Sequence, residues 1–179
     1  APSNPNTLYV LYENGFSNTS PDIKPEVDLF KLDLSNNTWI NRSASMPDFP
    51  GGNNGGTDPI TVQGGYDITV AVKPDDENTV FIGGGSLYRS TDGFATANYD
   101  NTLSWIGGNV RNSTTSLSIY ANSHPDIHAL VFNPSNPNEA ICANDGGLQI
   151  TTNIMAAATT TATLPWAMIR NYQTLQYYN

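Results

Sequence analysis

The sequence predicts an all-β chain of repeated four-stranded antiparallel units, and three observations carry that expectation. A hairpin phrase recurs three times, as Pro2-Ser-Asn-Pro-Asn-Thr-Leu-Tyr-Val-Leu, Pro74-Asp-Asp-Glu-Asn-Thr-Val-Phe-Ile-Gly and Pro134-Ser-Asn-Pro-Asn-Glu-Ala-Ile-Cys-Ala. Each copy is followed by a run that alternates apolar with polar side chains, Asp28 to Leu34, Ser86 to Asp92 and Gly147 to Asn153, as a strand with one buried face does. A tryptophan then closes each copy at Trp39, Trp105 and Trp166, a regular place that suits a core anchor better than a ligand platform. Pro74 to Pro134 is 60 positions and Trp105 to Trp166 is 61, and helical periodicity is absent. Four short strands repeated over several tens of residues are the pattern of β-propeller blades, first strand innermost and fourth on the rim.

Taken in order, residues 1–45 form part of a blade, because the opening Pro/Asn turn leads directly into what is a second strand elsewhere. Residues 60–110 form a blade whose first strand is Asp67 to Lys73, and 124–170 another whose first strand is Ile127 to Asn133. Residues 171–179 read as the start of the next. The total is about two and a half to three blades, short of the roughly four of the smallest closed propeller. The chain is therefore expected to be a portion of a larger propeller, its remaining blades supplied by the same or a neighbouring chain. Between blades, Pro50 to Gly56 is a glycine-rich loop, and no Lys-Ser/Thr follows to make it a phosphate cradle. Met155 to Thr163, rich in Ala and Thr, reads as a solvated loop.

Composition narrows the partners. Seven Lys and Arg stand against sixteen Asp and Glu, a net charge of -9 that disfavours nucleic acid and anionic lipid, both of which require clustered cations. No run reaches the roughly 20 apolar residues of a membrane-spanning helix. Cys142 is alone in an apolar run, so it reads as a small buried hydrophobe.

The richest stretch is His124 to Thr152, which holds both histidines and an Asn144-Asp145-Gly146-Gly147 turn. On a strand, His124, Asp126 and His128 would share one face, and two imidazoles with a carboxylate can bind a divalent metal. Asp126 and Asp145 could instead divide acid and base roles between them. The third reading is structural: Asp126 and His128 hydrogen-bond to the turn and lock the hairpin. In the preceding unit the matching residues are Gly64, Tyr66, Ile68 and Gly85, so the blade itself does not require the polar set. Asp67 reads as a turn or backbone partner, and Asp75, Asp76 and Glu77 as a solvated hairpin tip, with calcium a lesser alternative.

Ser90-Thr91-Asp92-Gly93-Phe94-Ala95-Thr96, continuing to Trp105, resembles the Asp-box of the bacterial-neuraminidase-repeat (BNR) propellers, a superfamily that includes sialidases, sortilin-type receptors and xyloglucan-cleaving glycosidases. The resemblance implies a structural role for Ser90, Asp92 and Gly93, with the carboxylate accepting backbone N–H bonds at the turn after strand three. The third copy keeps only Thr151-Thr152-Asn153 and the first only Leu34-Ser-Asn-Asn-Thr-Trp39. The third unit, with His124-x-Asp126-x-His128, Asn133-Pro134, the Asn-Asp-Gly-Gly turn, Trp166, Asn171 and Gln176-Tyr177, is similar to secreted bacterial glycosyl-hydrolase-like propellers over residues 66–179. That implies a secreted or cell-surface bacterial protein with about six to eight blades, or a double propeller.

Two functions are thereby expected. One is a noncatalytic module that binds protein or glycan. The other is a glycoside hydrolase of the xyloglucanase kind using paired Asp carboxylates. A sialidase is disfavoured because Arg42, Arg89, Arg111 and Arg170 are scattered rather than clustered.

Overall fold

The structure, a computed structural model, describes residues 1–16, 24–49, 59–97, 104–110, 119–158 and 164–169. The chain folds into three antiparallel sheets, each a meander of strands in chain order. The first holds β1 (Thr7–Glu13), β2 (Val27–Asp33) and β3 (Thr38–Asn41). The second holds β4 (Thr69–Val72), β5 (Val80–Gly83), β6 (Ser86–Ser90) and β7 (Trp105–Gly108). The third holds β8 (Ile127–Asn133), β9 (Asn136–Asn144), β10 (Gly147–Thr151) and β11 (Ala167–Met168). The glycine-rich loop at 50–56 and the strand expected at 171–179 lie outside the described residues.

The recurring hairpin phrase folds the same way three times. Asn4, Asp76 and Asn136 each turn a side-chain oxygen onto the N–H two residues on, at Asn6, Asn78 and Asn138 (3.0–3.2 Å). These Asx turns are why Asn and Asp recur there. In each copy the carbonyl of that same residue then accepts the N–H just past the third strand: Leu34 to Asn6 and Gly93 to Asn78 at 2.7 Å, Ile154 to Asn138 at 2.8 Å. The turn is thus tied to the strand that follows it.

Sheets stack face to face, and the alternation of side chains decides which core each residue joins. In the middle sheet Val80, Ile82, Tyr88 and Trp105 pack with Tyr9, Val27 and Leu29 of the first. The intervening Phe81, Leu87 and Ile106 pack with Ile127, Leu130, Cys142 and Trp166 of the third. Every residue of β5, β6 and β7 is consequently buried. Cys142 lies in the second core, where burial pushes its thiol up to about 12.

Polar ties cross both seams. Lys31 on β2 reaches Asn78 (3.5 Å) and Glu77 (3.7 Å) of the second unit. Glu77 also accepts from Asn4 at 3.1 Å and from the Thr7 hydroxyl. It bridges two units, therefore, rather than capping a solvated tip. Arg89 on β6, buried, donates to the carbonyls of Ile154 (2.6 Å) and Ala156 (3.2 Å) in the third unit. Its burial pulls the guanidinium down to about 10, still charged at neutral pH.

Two expectations are corrected. The loop after β10 is not simply solvated, because Ile154 and Ala158 are buried and Met155 packs against the second core; residues 159–163 lie outside the described residues. Trp105 and Trp166 are 1% and 4% exposed, as core anchors are, whereas Trp39 is 53% exposed. The reason is positional: Trp105 packs against the first sheet and Trp166 reaches back to the second, its indole N–H meeting the Ile106 carbonyl at 3.0 Å. Among the described residues no sheet precedes Trp39.

Gly84 shows how closely the β5–β6 turn lies against the segment before β4, since a Cβ there would run into the Thr61 carbonyl oxygen. Gly84→Ala is expected to cost about 1–3 kcal/mol, because backbone must move to admit one methyl. Urea unfolding of the variant beside the parent measures it.

Candidate functional site

The site lies at the seam between the second and third sheets, where the segment before β4 meets the start of β8 and the β9–β10 turn. Asn144 pairs with Gly147, leaving Asp145 and Gly146 at the tip of the β9–β10 hairpin, and the left-handed conformation falls on Gly147 (φ +111°). Asn144 Oδ1 accepts the Gly146 N–H at 3.1 Å. Gly146 is dictated by a neighbour: any Cβ would lie 2.7 Å from Cβ and Cγ of His124.

The expected common face of His124, Asp126 and His128 does not form. β8 begins only at Ile127, and Asp126 just before it has φ +62°, which turns its side chain out of strand alternation. The three side chains go separate ways. His124 seats on the turn, its Nδ1 3.1 Å from the Pro125 carbonyl oxygen. His128 Nε2 lies 2.6 Å from Asp145 Oδ1. Asp126 accepts from Gln63 Nε2 at 2.7 Å. Among the described residues no group of three His, Cys, Asp or Glu is placed to hold a metal ion. Of the expected lock onto the turn, the His128–Asp145 half forms and Asp126 faces the other way, into the preceding unit.

That preceding unit supplies the residues that sequence reasoning missed. The Tyr66 hydroxyl donates to Asp145, 3.2 Å from Oδ1, and its ring meets His128 edge-on with centroids 5.1 Å apart. Gln63 reaches Asp67 Oδ2 at 3.4 Å as well as Asp126. Asp67, fully buried, faces Asp126 rather than serving only its own turn. Tyr66 appears in the sequence only as the counterpart of Asp126, and nothing in its spacing shows that the two units meet here.

The electrostatics follow from this packing. Desolvation first, and the Asp126 charge second, push the Asp67 carboxyl up to about 7. Asp126 is itself raised, by desolvation and then by Asp145, with the Gln63 hydrogen bond opposing. The Asp67 carboxyl, raised to about 7, is only partly ionised at neutral pH. Gln63 has φ +50° and Asp126 φ +62°, an uncommon region for either residue type, and one hydrogen bond joins the two. The site is thus graded from a buried acidic floor, Asp67, to an open rim where Tyr66 is 48% exposed.

The Asp-box residues lie apart from this site. Ser90 Oγ accepts from the N–H of Asp92 (3.2 Å) and Phe94 (2.8 Å), and Asp92 accepts from the N–H of Ala95 (3.1 Å) and Thr96 (3.2 Å). Desolvation opposes its charge, but hydrogen bonds from Thr96 and Ser90 prevail and keep the carboxyl below the usual range. Gly93 takes φ +65°, with the Tyr9 hydroxyl where a Cβ would go. In the first unit the corresponding acceptor is Asp33, one residue before the stretch expected, taking the Ser35 N–H at 2.9 Å. In the third, Asn153 Oδ1 takes the Met155 N–H at 3.2 Å.

No family model matches the chain, and no curated protein matches it.

The Asp67–Asp126 pair makes stability depend on pH. From about pH 4, where an unfolded Asp ionises, to about pH 7, the native state keeps a proton that the unfolded chain releases, so stability falls as pH rises. Asp67→Asn removes the penalty. It is expected to stabilise by on the order of 2 kcal/mol at pH 8 and by little below pH 4. Thermal melts of both proteins from pH 3.5 to 8.5 test this, and a pH-independent difference would refute it.

Proposed function

We propose that these three sheets are consecutive blades of a β-propeller of the Asp-box kind, and that the chain is a noncatalytic binding module of a secreted or cell-surface bacterial protein. The blade reading is supported by the repeated meander, by identical turns closing each unit, and by first strands β4 and β8 lying against one another across the seam. The binding role rests on one observation. Tyr66 and His128, exposed, and Asp145, half-buried, form an aromatic and polar rim whose members are already oriented by one another. A ring beside a carboxylate acceptor suits a sugar or a polar peptide segment. The floor carboxyl Asp67 is sealed from any substrate, which argues against its use as an acid.

The alternative is a glycoside hydrolase acting through Asp126 and Asp145. Its supporting observation is that Asp126 is partly exposed and its carboxyl is held above the ordinary range by desolvation and by Asp145, as an acid beside a second carboxylate would be. A glycan panel including xyloglucan and β-glucans separates the two. For a binder, Tyr66→Ala and His128→Ala each weaken retention about tenfold, and no sugar is released. Turnover that disappears in Asp126→Asn and Asp145→Asn, with folding retained, would establish the enzyme instead.

A further inference from the structure

Rim and floor of the site carry one sign of charge. Asp145 stands half-buried on the rim, Asp126 is half-buried beside it, and Asp67 lies fully buried beneath. Asp67 is raised first by burial and then by Asp126, and Asp126 first by burial and then by Asp145, so the three carboxyls act on one another in turn. The opposing charge on Asp67 comes from His128 and that on Asp126 from His124, imidazoles that are cationic only when protonated. Among the described residues no Lys or Arg forms an ion pair with Asp67 or Asp126. Asp67 Oδ1 is buried without a hydrogen-bond donor of any kind. The site therefore lacks a cation.

The aromatic part of the rim sets the shape of what can supply one. Tyr66, 48% exposed, holds its hydroxyl 3.2 Å from Asp145 Oδ1, so the carboxylate lies at the edge of the phenol ring and not over its face. His128 meets the same oxygen through Nε2 at 2.6 Å. A pyranose laid on an aromatic ring projects its equatorial substituents outward, around the perimeter of that ring. One substituent then arrives at Asp145, with the charge of Asp126 behind it. A lysine ammonium centred over the phenol would miss that carboxylate.

Charge decides which substituent fits. A hydroxyl donates to a carboxylate but leaves the acids uncompensated, an anionic group is repelled, and an ammonium both donates and neutralises. The net charge of -9 attracts the same kind of ligand from a distance. We propose that the rim takes an amino sugar whose amine is free, presented as a glucosamine oligomer, with the pyranose on Tyr66 and the ammonium at Asp145 and Asp126. This deepens the binding role given above and rests on it.

Two oligomers of equal length, one of glucosamine and one of N-acetylglucosamine, test the assignment by calorimetric titration of the parent chain at a pH that keeps the amine protonated. The glucosamine oligomer is expected to bind about tenfold more tightly, because acetylation removes the charge from the hydrogen bond. That preference is expected to disappear in Asp126→Asn, checked for native circular dichroism. It is expected to survive in Asp75→Asn, which removes an equal charge beyond the far end of β4 on a side chain 53% exposed. Equal affinity of the parent for the two oligomers overturns the inference and leaves the binding role standing. A preference that Asp75→Asn erodes as much as Asp126→Asn does overturns it as unspecific attraction. Tighter binding of oligolysine than of the glucosamine oligomer overturns the sugar and gives the rim to a basic peptide. If neither oligomer and no neutral glycan of the panel is retained, the binding role itself falls.

Discussion

The constraint on which the structure depends is the double-sided burial of the middle sheet. A strand exposes alternate side chains on opposite faces, so a sheet apolar on both faces must be covered on both. In β5, Val80 and Ile82 enter one core and Phe81 the other, and β6 and β7 divide their side chains in the same way. Short strands of four or five residues stay ordered because each contributes to two cores at once. The glycines at the end of β5 follow from the same closeness. A Cβ on Gly83 would lie 2.7 Å from Ile127 of the third sheet, so bulk at that position would force the seam apart.

Where the apolar seam ends, polar groups take over, and the two seams do so differently. Between the first and second units, Glu26 accepts from the Thr61 hydroxyl at 2.6 Å and from the Val62 N–H at 2.7 Å, satisfying backbone that would otherwise be stranded. Between the second and third, Gln63 bridges to Asp126, and Asp126 in turn crowds Asp67. The first arrangement satisfies donors with one carboxylate. The second places two carboxyls together, and burial with their mutual repulsion raises both of them.

Much of the architecture was legible from residue order, because repetition writes the same physical requirement three times. Asn4, Asp76 and Asn136 are recoverable as turn formers, since few side chains can accept the N–H two residues on. The site was legible only within one unit. The spacing of His124, Asp126 and His128 suggested a shared strand face, and that failed because strand β8 starts after Asp126, a boundary set by a positive φ that alternation cannot reveal. The His128–Asp145 contact joins strand β8 to the β9–β10 turn within one unit and is within reach of sequence reasoning. Tyr66 and Asp67 are not, because their partners Asp145 and Asp126 lie in another unit, 79 and 59 positions on, and hydrophobic patterning reports which side is buried without reporting what lies opposite.

These observations single out residues 61–67 as the junction of the molecule. On one side the Thr61 hydroxyl and the Val62 and Gln63 amides are held by Glu26 of the first unit. On the other, Gln63, Tyr66 and Asp67 engage Asp126 and Asp145 of the third. The segment also accepts the Gly85 N–H of its own sheet through the Thr61 carbonyl, at 2.9 Å. A strained Gln63 is tolerable in such a place because contacts from three units over-determine its conformation.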